Sequence, residues 1–209
     1  MNNLLFAQVY LKPIDKLSIA NQLLKIQKKF WFWDEYRSTS MLPLMTKDSI
    51  QGKQGASNSR DGDFKWVPYV PLELKLWFEE EVFPWMGSKT RIMALVTQPN
   101  FSNNEHIDCD HHEIGSRQHK FRVVLQGRSD SLYFKTLNGD VKAPDTDHPF
   151  IMDGGWPHGM NNSSSITKVT IAAGAPWNGL DQYHNIDVLM KRSDHLLPSN
   201  VVPYLKKNV

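Results

Sequence analysis

The feature that most narrows the fold is a series of short segments, rich in β-branched and aromatic residues, that begins after Gly87. Residues 91–97, 121–125, 132–137, 150–152 and 168–172 fit this description, and turn-forming residues separate them. The series has no βαβ rhythm, which favours a double-sheet β-sandwich of jelly-roll type over a parallel sheet with crossover helices. Asn138-Gly139, set between SLYFKTL and DVKAP, predicts a two-residue hairpin turn with both residues at positive φ.

The first part of the chain reads differently. Residues 4–11 alternate loosely and stop at Pro13, which predicts a strand. Ile19, Leu23, Leu24, Ile26 and Phe30 form an apolar stripe after Asp15, which predicts a helix. Residues 72–83 carry a second stripe of helical period, which Pro84 is expected to stop. Residues 46–63, including GKQGASNSRDGD, hold almost nothing apolar and predict a mobile loop able to act as a lid. The expected fold is therefore mainly β (α+β), with helices braced on one face of the sandwich. A length of 209 residues favours one domain. It divides into a strand and helix preamble (1–88), a β core (89–177) and an irregular C-terminal wrap (178–209).

Composition narrows the class of function. Apolar residues at 40% and charged residues at 22% suit a packed globular core. A formal net charge of +2, with scattered lysines apart from Lys206-Lys207, supplies no field to steer nucleic acid, so no nucleic-acid partner is expected. The one cysteine, Cys109, cannot close an intrachain disulfide, and no apolar run reaches the roughly 18 residues of a membrane span. The start, MNNLLF, lacks the marks of a signal peptide. These features lead to the expectation of a reducing cytoplasm and no membrane partner.

The chemistry concentrates at two places. His106-Ile107-Asp108 follows a strand and a polar loop, NFSNNE, and its outer side chains share one side of an extended backbone. His158 lies much later, in GGWPHG, whose Gly and Pro residues predict a strand end close to a site. Two imidazoles and one carboxylate leave three positions of an octahedral ion open, which suits ferrous iron. Zinc tolerates the same donors, so ligand type leaves the metal open. Lys168, ten positions past His158, sits among apolar or small neighbours in TKVTI, where an ammonium needs an anionic partner.

Other residues compete for these roles. His111 and Glu113, within DCDHHE, offer a second H-x-E pair for His158, although such polar runs are mostly solvated. His119, His148, His184 and His195 read as ordinary histidines, and Cys109 as a small packing residue. Trp156 could wall a pocket or simply fill the core. Asn161 and Asn162 could orient a ligand or make the turn. Residues 36–40 read as a solvated loop, with a substrate-contacting edge as the sharper alternative.

The H-x-D pair, the distal histidine and the basic residue ten positions beyond it resemble the 2-oxoglutarate/iron oxygenase superfamily. FRVVLQG and WPHGMNNSSSITKVTIAAGAPW resemble its branch of aspartyl/asparaginyl β-hydroxylases and free-proline hydroxylases, over about residues 89–177. The resemblance implies a double-stranded β-helix of cupin-like type with supporting N-terminal helices. It implies that His106, Asp108 and His158 bind Fe(II) and form the catalytic centre, and that Lys168 pairs with the distal carboxylate of 2-oxoglutarate. That branch usually has arginine at the Lys168 position, so a fork-shaped contact becomes a point charge here. Arg122 resembles a second cation that the branch directs into the pocket, with Arg117 as its rival. The implied reaction consumes O2, releases succinate and CO2, and hydroxylates an amino acid or a peptidyl side chain by ferryl hydrogen abstraction. Two other classes use the same donors: a cupin-like metal-binding module without turnover, and a zinc or manganese isomerase or hydrolase whose bound water is the nucleophile. Lys168 separates them, because neither needs a cation opposite the open face of the metal.

Overall fold

Antiparallel pairing arranges the strands in two sheets that face each other. The structure is a computed structural model and describes residues 4–35, 37–47, 63–108, 119–174 and 183–200. Its strands are β1 (Leu4–Val9), β2 (Phe32–Asp34), β3 (Thr39–Thr46), β4 (Lys65–Trp66), β5 (Ile92–Thr97), β6 (Phe101–His106) and β7 (His119–Gln126). They continue as β8 (Leu132–Thr136), β9 (Gly139–Lys142), β10 (Phe150–Asp153), β11 (His158–Asn162), β12 (Lys168–Ala173) and β13 (Ile186–Lys191). The larger sheet runs β13-β1-β10-β7-β12-β5-β3-β2 with β4 on β3, and the smaller runs β6-β11-β8-β9. Strands β5 to β12 are thus shared between two sheets, β10-β7-β12-β5 against β6-β11-β8-β9. This is the double-stranded β-helix that the sequence led us to expect.

Side-chain alternation along β12 shows how the layers are built. Val169, Ile171 and Ala173 join the main core, while Lys168, Thr170 and Ala172 have the opposite parity. That main core packs the large sheet against α1 (Lys16–Leu24) and a second helical stretch. Asp15 caps α1 by accepting from Ser18 N–H at 3.0 Å, and Ile19, Ala20 and Leu23 are its buried face. Phe121 of β7 meets Phe78 and Trp85 at ring-centroid distances of 6.2 and 5.8 Å. Each such buried ring stabilises the layer by about 1.5–3 kcal/mol. A smaller core of Phe6, Val124, Leu132, Phe134, Phe150 and Trp156 forms the second apolar cluster.

Several expectations are corrected. The second helix does not stop at Pro84: α2 (Leu72–Trp77), a π-helical turn (Phe78–Val82) and α3 (Phe83–Met86) follow without a break. Phe83 N–H bonds to Phe78 O, the five-residue spacing of a π turn, so the ladder has already changed register where Pro84, at the start of α3, lacks a donor. The helix ends instead at Gly87, at φ 76°. The predicted hairpin exists, but its turn residues are Leu137 and Asn138, because Thr136 pairs with Gly139. Only Gly139 takes positive φ, at 111°. NFSNNE, residues 100–105, was expected as a loop, but all of it after Asn100 belongs to β6. It is an edge strand, so its polar outer side chains are compatible with solvent. The tail contributes β13, which pairs with β1 at the edge of the large sheet. β3 escaped the reading because Pro43 interrupts it, at a register irregularity between Pro43 and Met45. Most of the expected lid lies outside the described residues. Among the described residues no helix is long and apolar enough to cross a membrane.

Candidate metal centre

Strand pairing places the two histidines side by side. His158, the first residue of β11, is the direct cross-strand partner of His106, the last residue of β6. Two residues beyond His106, Asp108 N–H donates to Gly154 O at 2.7 Å, which turns the chain so that its carboxylate meets both rings. One donor atom from each of His106, Asp108 and His158 lies within 4.8 Å of the others, and all three residues are buried. His106 Nε2 is 3.6 Å from Asp108 Oδ1, and His158 Nε2 is 3.9 Å from Asp108 Oδ2.

Backbone carbonyls set which nitrogen of each ring faces inward. His106 Nδ1 contacts Asn104 O and His158 Nδ1 contacts Trp156 O, both at 2.8 Å. A carbonyl only accepts, so each Nδ1 carries the proton and each Nε2 presents a lone pair, the form a metal requires. The turn between β10 and β11 serves both ends of the centre. Asp153 accepts from Gly155 N–H and from Arg192, and Arg192 lies 5.4 Å over the Trp156 ring. Trp156 Nε1 donates to Lys135 O at 2.8 Å. Trp156 belongs to the inter-sheet core and steers His158 through its carbonyl, and it does not line the cavity described below.

Electrostatics favour the ligating forms. Burial lowers the His106 pKa well below its ordinary value, and the neighbouring His158 and Arg37 add to the shift against the pull of Asp108. Burial likewise lowers His158. For Asp108 burial acts the other way, but Arg37, Lys120 and the two histidines overcome it and hold the carboxyl well below its ordinary range. Neutral imidazoles and an ionised carboxylate result. The donor set therefore fits a divalent ion.

A cavity of about 450 Å³ opens on the triad. Arg37, Arg91, Lys120 and Arg122 line it on the polar side, and Met41, Met93, Leu95, Leu132 and Met160 on the apolar side. Arg122 Nη1 donates to Phe121 O at 3.1 Å, and its Nη2 stands 3.7 Å from Asp108 Oδ2. Burial, helped by Arg37 and Arg91, brings its pKa down to about 10.

Lys168 is 3% exposed but does not line this cavity. Its ammonium donates to Arg128 O at 2.7 Å and to Ser131 Oγ. Thr97, its cross-strand partner, touches Met160 Sδ at 3.8 Å, and Met160 lines the cavity. Burial lowers the Lys168 pKa to about 7, against the raising influence of Asp130 and Asp145. The expectation was that this lysine faces the open side of the metal; here it lies outside the cavity lining, with its ammonium turned to Arg128 and Ser131.

The remaining sequence readings sort as follows. Arg37, in a segment read mainly as solvated, reaches Asp108 at 2.9 Å, which nothing in its local composition signals. Asn162 Nδ2 donates to Gln98 O and Ile166 O, so it makes the turn, and Asn161 accepts from Ser102. His119 meets the Tyr183 hydroxyl at 3.0 Å inside the fold. Cys109, His111, Glu113, Arg117 and Tyr36 lie outside the described residues.

No protein-family profile matches the chain, and no curated protein sequence does. Solved structures do match in shape. A prolyl-4-hydroxylase from Pseudomonas putida superposes with a TM-score of 0.50 at 12% identity, covering 84% of this chain and 94% of that one. An oxidoreductase of the 2OG-Fe(II) oxygenase family from Burkholderia pseudomallei gives a TM-score of 0.48 at 9% identity, over 80% of this chain and 81% of that one. At these identities the likeness is one of fold.

Proposed function

We propose that this protein is an Fe(II)- and 2-oxoglutarate-dependent hydroxylase that acts on an amino acid or a peptidyl side chain. The observation that carries the reading is the convergence of two Nε2 lone pairs and one ionised carboxylate at the wall of a cavity. His106, Asp108 and His158 would hold the iron through one face and leave the other open. Iron with 2-oxoglutarate and dioxygen supplies the oxidising power for hydroxylation, with succinate and CO2 as the other products.

The protein's own groups bind, orient and exclude water. Lys168 uses two of its three N–H donors on Arg128 O and Ser131 Oγ, which leaves one for the distal carboxylate of the co-substrate. Arg122 Nη2 faces the cavity near Asp108 and suits a second anionic group, on the co-substrate or the substrate. Met41, Met93 and Leu95 form a dry wall that strengthens these charged contacts. The amino-acid or peptide substrate comes from the sequence resemblance, and the buried cations beside the triad agree with a carboxylate-bearing one.

The test is an anaerobic titration of the iron(II)-loaded protein with 2-oxoglutarate, followed through the visible charge-transfer absorption of the chelate. Succinate release on admitting oxygen then follows, with proline, aspartate, asparagine and short peptides. Saturable chelate formation and substrate-stimulated succinate are expected. A protein that binds iron but never 2-oxoglutarate is instead a metal-binding module or a hydrolytic enzyme.

A further inference from the structure

The chain between β2 and β3 reaches the metal centre from outside the two facing sheets' shared strands. Arg37 Nη2 donates to Asp108 Oδ1 at 2.9 Å, and Nη1 donates to Asp34 Oδ2 at 2.8 Å. The backbone N–H of Arg37 donates to Asp34 Oδ1 at 3.0 Å, so one carboxylate fixes both the main chain and the side chain of this arginine. Arg37 O in turn accepts from Asn104 N–H of β6 at 3.3 Å, two residues before His106. Ser38 takes a left-handed φ of 50°, which sends the chain back into β3. Side-chain exposures of 16% for Arg37, 17% for Asp34 and 7% for Asp108 show a shielded network.

Charge explains part of this arrangement, since Arg37 helps to keep Asp108 ionised, but it does not explain the choice of one oxygen. A guanidinium beside a cation site opposes the metal by Coulomb repulsion, so its value there has to be geometric. Arg37 hydrogen-bonds Oδ1 at 2.9 Å, whereas Arg122 stands beyond hydrogen-bond distance of Oδ2 at 3.7 Å, so Oδ2, on the His158 side, is the less engaged oxygen and the one offered to an ion. A carboxylate bound through both oxygens would fill one more position of a six-coordinate ion, leaving room for a chelating co-substrate and nothing else. Ligation through one oxygen keeps a further position open for a diatomic molecule.

Resting on the hydroxylase reading above, we propose that Arg37, braced by Asp34, is a positioning residue that restricts Asp108 to one-oxygen ligation and so preserves the dioxygen position. It acts through Asp108 and takes no part in the reaction itself.

Nitric oxide, a diatomic probe that binds ferrous iron, tests this without turnover. The anaerobic wild type, Arg37→Met, Arg37→Lys and Asp34→Asn proteins are loaded with iron(II) and 2-oxoglutarate. They are then titrated with nitric oxide, and the nitrosyl signal is read by electron paramagnetic resonance. Loss of a partner that orients a metal ligand typically costs about 10- to 100-fold. Arg37→Met is expected to weaken nitric oxide binding by that factor, with 2-oxoglutarate affinity within about threefold of wild type. Arg37→Lys, which keeps the charge and loses the fork, should recover part of the loss, and Asp34→Asn should show a smaller one. Unchanged nitric oxide affinity and signal shape in Arg37→Met and Asp34→Asn would overturn the proposal. Should Arg37→Met fail to fold by circular dichroism, Asp34→Asn decides. A wild type that binds iron but no 2-oxoglutarate defeats the hydroxylase reading instead, and that outcome appears before any variant is compared.

Discussion

The protein treats its buried cations in two ways. Beside the triad, Arg37 is paired with Asp34 and Asp108, and Arg122 stands 3.7 Å from Asp108 Oδ2. Outside the cavity lining, Lys168 meets two neutral oxygens, and no carboxylate of the described residues lies within ion-pair distance of it. Burying an ammonium without a counter-charge is costly, and the lowered pKa of Lys168, about 7, records that cost. The difference is one of partners: the guanidinium of Arg37 is held by carboxylates that it also orients, whereas the Lys168 ammonium is held by neutral oxygens, with Asp130 and Asp145 acting only at a distance.

Four experiments break or sharpen that contrast. The largest effect is expected from His158→Ala, which removes a ligand from the triad: iron affinity, read by equilibrium dialysis, and succinate formation should both fall by at least about 100-fold. Lys168→Ala should leave iron affinity unchanged and weaken 2-oxoglutarate binding by roughly 10- to 150-fold, the worth of one charged hydrogen bond at about 1.5–3 kcal/mol. If calorimetry shows that Arg122→Ala weakens it more than Lys168→Ala does, the assignment of the two cations is reversed.

Gly159 lines the cavity, and a Cβ added there would stand 2.5 Å from the Tyr133 hydroxyl oxygen. That hydroxyl donates to Glu105 at 3.0 Å, so it is not free to swing aside without loss. Gly159→Ala should destabilise the fold by about 1–3 kcal/mol in urea unfolding, and Tyr133→Leu in the same chain should restore part of it.

The smallest effect is that of pH. Lys168 must be charged to bind a carboxylate, so with a pKa of about 7 the 2-oxoglutarate affinity of the wild type should fall by about fivefold as pH rises from about 7 to about 8. Lys168→Arg should flatten that profile. Stability runs the other way. The folded-state pKa of about 7 lies below the ordinary 10.5, so the unfolded chain binds more protons in that window and stability rises with pH across it. The slope should vanish in Lys168→Met, measured by urea midpoints at constant ionic strength.

Much of this was legible in the chain itself. The H-x-D pair and His158 carried their own signal, because ligand spacing within an extended strand is a local property. The strands β5, β7, β8, β10 and β12 were equally readable from β-branched and aromatic content. β6 and β13 were not, since edge strands with solvated side chains lack the apolar pattern that marks buried ones. Pro84 misled because its local rule assumes an uninterrupted α-helix, and a π turn precedes it. Arg37 lay in a segment whose sharper reading was a substrate-contacting edge, but its contact with a carboxylate 71 positions away left no local mark.

What the sequence determined by itself was the set of donors and the alternation that makes two sheets, both fixed by residue type and short-range period. What the tertiary structure decided was which residues share a space. Cross-strand register brought His106 beside His158, the turn after β10 swung Asp108 toward them, and the chain between β2 and β3 laid Arg37 across its carboxylate. The reason is physical: period and propensity are properties of a few neighbouring bonds, whereas a contact between distant segments exists only once the whole chain has chosen one register.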